Sequence, residues 1–252
     1  YIDHPVSLNT GLIDVSIPLY NFKEYGFDIP IKLNYYTGGI RVDEVASEVG
    51  LGWSLRAGGS ISRAVKANPD DSAIGYMYSP YTVQQARTGI TNVDFNNDLQ
   101  QLASRDYEPD SFSFNFLNFS GKFFFDKAEN TFVQIPKTDL KINFNKDSNN
   151  KIISWVLIDD QGNQYFFGKS SDLTRSQVVH STQSTQVTYS DDGIHGGAST
   201  AEDHILTWHL MEIKNCNGRA IKFFYNESET FLDVSKTNEN FVYNGNLMFE
   251  DQ

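Results

Sequence analysis

The chain has 252 residues, 14% of them aromatic, with a formal net charge of -12 and a single cysteine. That length can bury a large core and does not by itself force a domain boundary. The acidity and the lack of any basic run exclude the electrostatic footprint of a nucleic-acid or anionic-membrane binder, while Cys216 alone excludes an internal disulfide and a CxxC metal or redox motif.

No apolar run of about 18 residues is present to span a bilayer as a helix, and no charged-then-apolar leader stands at the start. The aromatic content, mostly Phe and Tyr, favours pleated, half-buried surfaces and biases the fold toward sheet.

The first clear elements are two strands. Ile13, Val15, Ile17 and Leu19 alternate with polar residues or Pro, as do Phe27, Ile29, Ile31, Leu33 and Tyr35. Residues 21–26 between them supply a turn, so the pair reads as a hairpin, with Pro18 and Pro30 at positions where the ladder needs no donor. Residues 36–67 are punctuated by glycines around Trp53, which reads as a structural glycine turn beneath a buried Trp. Residues 60–65 form a short strand closed by the turn Asn68-Pro69-Asp70-Asp71. Residues 81–107 change character: Thr82 is a helix N-cap, and 83–86 and 97–103 are polar and helix-tolerant, which predicts a short helical insert.

Aromatic hairpins follow. Phe112, Phe114 and Phe116 alternate with polar residues, turn at 118–121 and return through 122–126. Leu140, Ile142 and Phe144 alternate before a turn at 147–150. Residues 155–158 turn at 159–163 and return through 165–168, and residues 210–214 turn at 215–218 and return through 221–225. These last two hairpins share the order of apolar strand, Asx/Gly turn and aromatic-ending strand, a degenerate internal repeat. Between them, residues 170–203 are polar, with a strand around Val187-Thr188-Tyr189 and a mobile loop over 191–200.

Few residues suggest chemistry. Glu108 and Asp110 flank Pro109, and in an extended backbone they share a face about 6.6 Å apart, so they are a candidate acidic pair of the kind used in glycoside hydrolysis. Solvated acids at a strand entry are the plainer reading. His204 and His209 are five apart, which in a continuous strand puts them on opposite faces, and His195 lacks a complete ligand pattern. Gly50-Leu51-Gly52-Trp53 has no following GK[ST], no GxSxG occurs, and Cys216 reads as a small packing residue beside a turn. Trp155, Tyr165, Trp208 and Tyr225 are candidates for a sugar-stacking surface if they are exposed, although aromatics at this density are mostly core. No cofactor or metal site is expected.

Several blocks together carry a resemblance: Asn9-Thr10-Gly11, Ile17-Pro18-Leu19-Tyr20, residues 39–47, Val49-Gly50-Leu51-Gly52-Trp53-Ser54-Leu55, Ala57-Gly58-Gly59, Arg63, Glu108-Pro109-Asp110, Phe114-Asn115-Phe116 and Ser120-Gly121-Lys122-Phe123. In these the chain resembles the N-terminal region of large exported RHS/YD-repeat-type proteins of Bacteroidetes. The resemblance implies an exported protein of the cell envelope or exterior whose β-hairpins build a shell or elongated scaffold. It brings no catalytic residues with it, and the chain shows neither a tandem YD array nor a toxin segment.

The expectation is an all-β fold of mainly antiparallel hairpins, arranged as a curled sheet, a sandwich or a partial barrel. Residues 1–252 form one β-rich region, divisible into subdomains at 1–80 and 108–252 around the insert at 81–107. The function expected is that of a non-catalytic structural or interaction module whose partner is the downstream part of its own full-length chain. A carbohydrate-binding or adhesive module, partnered by a cell-surface glycan or protein, is the alternative. A glycoside hydrolase using Glu108 and Asp110 is the third reading.

Overall fold

The computed structural model describes residues 14–36, 49–66, 68–79, 106–191 and 194–226. The described residues are all-β, with antiparallel pairing throughout: a small three-stranded sheet and a large, nearly closed, barrel-like one. Their only helical turn is a 3-10 turn at Tyr76–Tyr78, and among the described residues no helix is long and apolar enough to cross a membrane. The insert expected over 81–107 lies outside the described residues, apart from Asp106 and Tyr107, which are not helical.

The small sheet consists of β1 (Asp14–Glu24), β2 (Phe27–Tyr36) and β3 (Trp53–Ala57), in that order. The β1–β2 turn is tighter than the sequence suggested. Tyr25 and Gly26 alone make it, both with positive φ, as a two-residue hairpin turn requires. Trp53 is half-buried, with its ring 5.0 Å from that of Tyr35, so the glycine block lies beneath a partly covered Trp and not a buried one.

The large sheet begins with β4 (Gly59–Ala64), β5 (Ser111–Phe116), β6 (Phe119–Asp126) and β7 (Thr131–Ile135). It continues with β8 (Lys141–Lys146), β9 (Ile152–Ile158), β10 (Gln164–Phe167), β11 (Val178–Asp191), β12 (Ile194–Lys214) and β13 (Ala220–Lys222). The main path runs β7-β6-β5-β4-β12-β10-β9-β8, with β11 and β13 also pairing to β12. Its two end strands meet through side chains. The rings of Phe132 and Phe144 lie 5.1 Å apart, and the Gln134 amide donates to the Leu140 carbonyl. Of the three arrangements left open by the sequence, the described strands approach the partial barrel.

β4 sits in the middle of this sheet, between β5 and β12, so the N-terminal glycine block contributes a strand to the hairpin region. Residues 191 and 194–200, expected as a mobile loop, continue the β11–β12 ladder, in which Asp191 faces Ile194 and Thr185 faces Thr200. Ser and Thr tolerate a strand on either face, so a two-sided polar hairpin carries no alternation to announce itself.

Alternation explains the core. Phe112, Phe114 and Phe116 turn inward from β5, and Phe123 and Phe125 from β6, while the residues between them, polar on β5 and Phe124 on β6, face outward or lie at the margin. Phe112 stacks on Phe123 at 5.2 Å and meets Phe132 and Trp155 edge-on. Such pairs each add about 0.5–1.5 kcal/mol beyond the area they bury.

Candidate functional site

The charged residues converge at one end of the β4–β5 ladder. Arg63 faces Phe112 across it, so the loop leaving β4 and the coil entering β5 run side by side. Ile61 and Arg63 both turn inward while Ser62 and Ala64 are exposed, which buries a guanidinium by strand parity alone. A buried cation requires anions, and the loop and coil provide them.

The loop is folded tightly. Ser72 N–H donates to the Pro69 carbonyl, Gly75 N–H to Ser72, and Met77 N–H back to Asp70. At Gly75 any side chain would begin 2.0 Å from the Pro69 oxygen, so only glycine fits this packing. Asp70 and Asp71 are thereby held inward.

Arg63 donates from Nε to Asp110 at 2.6 Å and from Nη2 to Asp71 at 2.8 Å, with its carbon 5.3 Å from the Phe112 ring centre. Asp110 also accepts from the backbone N–H groups of Lys66 and Asp70, and its own N–H donates to Asp70 Oδ1. Asp71 Oδ2 accepts from Ile152 N–H at the start of β9. Asp106 accepts from Asn68 and Glu108 N–H groups, and its N–H donates to the Ile74 carbonyl. Lys127 on the β6–β7 loop donates to the Ser79 carbonyl at 3.0 Å, and its ammonium lies 4.3 Å from the Tyr76 ring centre.

Four carboxylates, those of Asp70, Asp71, Asp106 and Asp110, are thus buried, two of them bonded to one guanidinium. Burial, followed by the charge of Asp110, pushes the Asp70 carboxyl up to about 8. Burial also raises Asp106 and lowers Lys127. For Arg63 burial acts downward, but the charges of Asp71 and Asp110 outweigh it and the net shift is upward. One oxygen of each of Asp70, Asp106 and Asp110 falls within 4.8 Å of the other two, a grouping suited to holding a cation or a proton.

No match is found for the chain among protein-family models, curated proteins or solved structures.

Glu108 and Asp110 do not share one exposed face. Residues 108–110 are not in a strand; Asp110 is fully buried with both oxygens bonded, while the Glu108 side chain is 72% exposed and 3.8 Å from Lys66 Nζ. The backbone that would have put them on one face is absent because Asp110 turns inward to meet Arg63. Trp155, Tyr165 and Trp208 lie in the core, so the stacking surface considered for them is not formed; Tyr225 is half-buried, and its hydroxyl donates to the Leu210 carbonyl. Cys216 is exposed in its turn and does not pack as expected.

The sequence reading took Asn68-Pro69-Asp70-Asp71 only as a turn and missed the role of Arg63. The available signal was Arg63 itself, at an inward position of an alternating strand.

A second feature lies on the small sheet. Its cross-strand rows on one face are Phe22–Ile29, Tyr20–Ile31–Ala57, Ile17–Leu33–Leu55 and Val15–Tyr35–Trp53. Every one of these residues is apolar or aromatic. The opposite face carries Ser16, Asn34 and Ser54 in one row and Pro18, Lys32 and Arg56 in the next. Phe27 and Ile29 are buried and Phe22 packs on the main core, but Ile17, Leu19, Tyr20 and Leu55 remain 44%, 54%, 63% and 52% exposed.

Proposed function

We propose that the chain is a non-catalytic structural and interaction module, the N-terminal β-scaffold part of a large exported RHS-like protein. The apolar face of the small sheet is the surface on which further β-structure of the same polypeptide packs. One observation carries this reading: the core face of β2 runs without a break from buried Phe27 and Ile29 to the rows that expose Ile17, Tyr20 and Leu55. Exposed apolar residues scattered singly need no explanation, but contiguous in-register rows continuous with a core mark a docking surface. The occupant that suits such rows is another sheet face, which packs about 10 Å away and interdigitates with them. The resemblance to RHS-type N-terminal regions supports the same occupant.

The test mixes this chain with the separately expressed remainder of its native polypeptide and follows association by analytical ultracentrifugation. The expected result is a stable complex that the double substitution Ile17→Lys with Leu55→Lys abolishes while leaving the fold intact, since both side chains are already exposed. Failure of the unsubstituted chain to associate overturns the reading.

A further inference from the structure

The bonding of the buried acids is uneven, and the unevenness falls on one atom. Asp71 and Asp110 accept a hydrogen bond on each of their oxygens, and so does Asp106. Asp70 accepts only on Oδ1. Its Oδ2 is buried without any hydrogen-bond partner, in a residue with no exposure at all. A buried carboxylate oxygen with no hydrogen-bond partner is stable only if it carries a proton or meets a cation, so this oxygen calls for a positive partner.

Charge points the same way. Asp71 and Asp110 bond the Arg63 guanidinium, Asp70 lies within its field, and the Lys127 ammonium acts on Asp70 and Asp106. When all six groups are ionised, the cluster is short of two positive charges, which is the charge of one divalent ion.

We propose that Asp70, Asp106 and Asp110 bind one hard divalent cation, with Asp70 Oδ2 as its anchoring ligand and Ca²⁺ as the ion that fits best. Ca²⁺ takes oxygen ligands at 2.3–2.6 Å, so oxygens sharing it lie up to about 5 Å apart, whereas Mg²⁺ at 2.0–2.1 Å requires them within about 4.2 Å. The three acids offer oxygens all within 4.8 Å of one another, a bound that meets the Ca²⁺ limit as it stands and the Mg²⁺ limit only where they lie closer still. Asp106 and Asp110 keep lone pairs beyond those their N–H donors use, and those N–H groups act as the supporting shell that orients the ligands. The ion would clamp the loop after β4 to the coil before β5, fastening segments about 40 residues apart in the chain. This site is independent of the docking surface on the small sheet, and either can fail without the other.

The experiment uses the whole chain, stripped with EDTA and dialysed into metal-free buffer at pH 7.5. CaCl₂ is titrated in by calorimetry, and thermal unfolding is followed with and without 5 mM CaCl₂ or MgCl₂. Saturable binding of one Ca²⁺ and a rise in Tm of about 5 °C or more are expected, with a smaller rise for Mg²⁺. Asp70→Asn keeps the shape but not the charge, and should lose both responses; Glu129→Gln, an exposed acid on the β6–β7 loop, should keep both. Absence of saturable Ca²⁺ binding to the unsubstituted chain overturns the proposal whether or not the variant folds. So does an Asp70→Asn protein that still binds. A chain indifferent to Ca²⁺ whose Tm rises on Asp70→Asn would assign the position beside Oδ2 to a proton and overturn the proposal as well.

Discussion

Asp147, Asp159 and Asn215 each stand first in a hairpin loop, and each gathers two backbone N–H groups onto one side-chain oxygen. Asp147 Oδ1 accepts from residues 149 and 151, Asp159 Oδ1 from 161 and 163, and Asn215 Oδ1 from 217 and 219. The fourth residue of each loop, Asn150, Gly162 or Gly218, takes positive φ. A short polar side chain that mimics a backbone turn, followed by a residue at ease in the left-handed region, is therefore the physical content of the repeated hairpin signal. The three loops differ in what else they hold. Asp159 also accepts from the Tyr165 hydroxyl at 2.9 Å and from the buried Asn163 amide, while the Asn215 loop leaves its freed N–H groups close to water. Asn215→Ala should cost about 1 kcal/mol and Asp159→Ala about 2–3 kcal/mol in urea unfolding, because only the second strands buried donors. Equal costs, or the reverse order, would refute this ranking.

β12 is the element that joins the large sheet. Along its length it pairs with β11 up to Trp208, with β4 at residues 207–209, with β10 at 210–214 and with β13 at 212–214, and a bulge interrupts its pairing with β10 between Phe166 and Phe167. His209 sits where the exchange occurs: its carbonyl accepts from Gly168, its N–H donates to Gln177, and its ring lies 5.3 Å from that of Tyr225. Burial lowers the pKa of this imidazole. As pH falls through about 6.5 the unfolded chain takes up the proton first, so the contribution of His209 to stability is full above that pH and is lost below it. Other groups titrate in the same range, so the quantity to measure is the difference in unfolding free energy between the unsubstituted chain and His209→Gln from pH 8 to pH 5. That difference should move against the unsubstituted chain on acidification; a flat difference would mean that the ring is solvated. The C-terminal end of β12 was legible from Leu210, Met211 and Ile213, but its N-terminal half was not, since its sequence is mostly polar and shows no alternation to mark a strand.

At the scale of the molecule, the hairpins were legible because each is local in sequence, with its period-two pattern and its turn within about 20 residues. The acidic cluster was not, because its members come from residues 63–75, 106–110 and the start of β9, and only the β4–β5 pairing brings them together. Nothing in Asn68-Pro69-Asp70-Asp71 distinguishes a solvated turn from a buried one until Arg63 is known to point inward. This gives Arg63 a global role, since through Asp110 and Asp71 it ties β4 to the entrances of β5 and β9. Arg63→Met would leave Asp71 and Asp110 buried without their cation and should cost about 3–5 kcal/mol. Neither acid can escape to water cheaply, because Asp110 also holds two backbone N–H groups and Asp71 one, and these would be orphaned if that acid moved. Arg63→Lys keeps the charge but replaces a planar fork with a single donor point that cannot reach both carboxylates in the same geometry, so an intermediate loss is expected. Arg56→Met, on the polar face of the small sheet, is the control and should stay within about 0.5 kcal/mol. A cost below about 1 kcal/mol for Arg63→Met would show that the barrel holds its shape by aromatic packing alone and that the ion pairs merely accompany it.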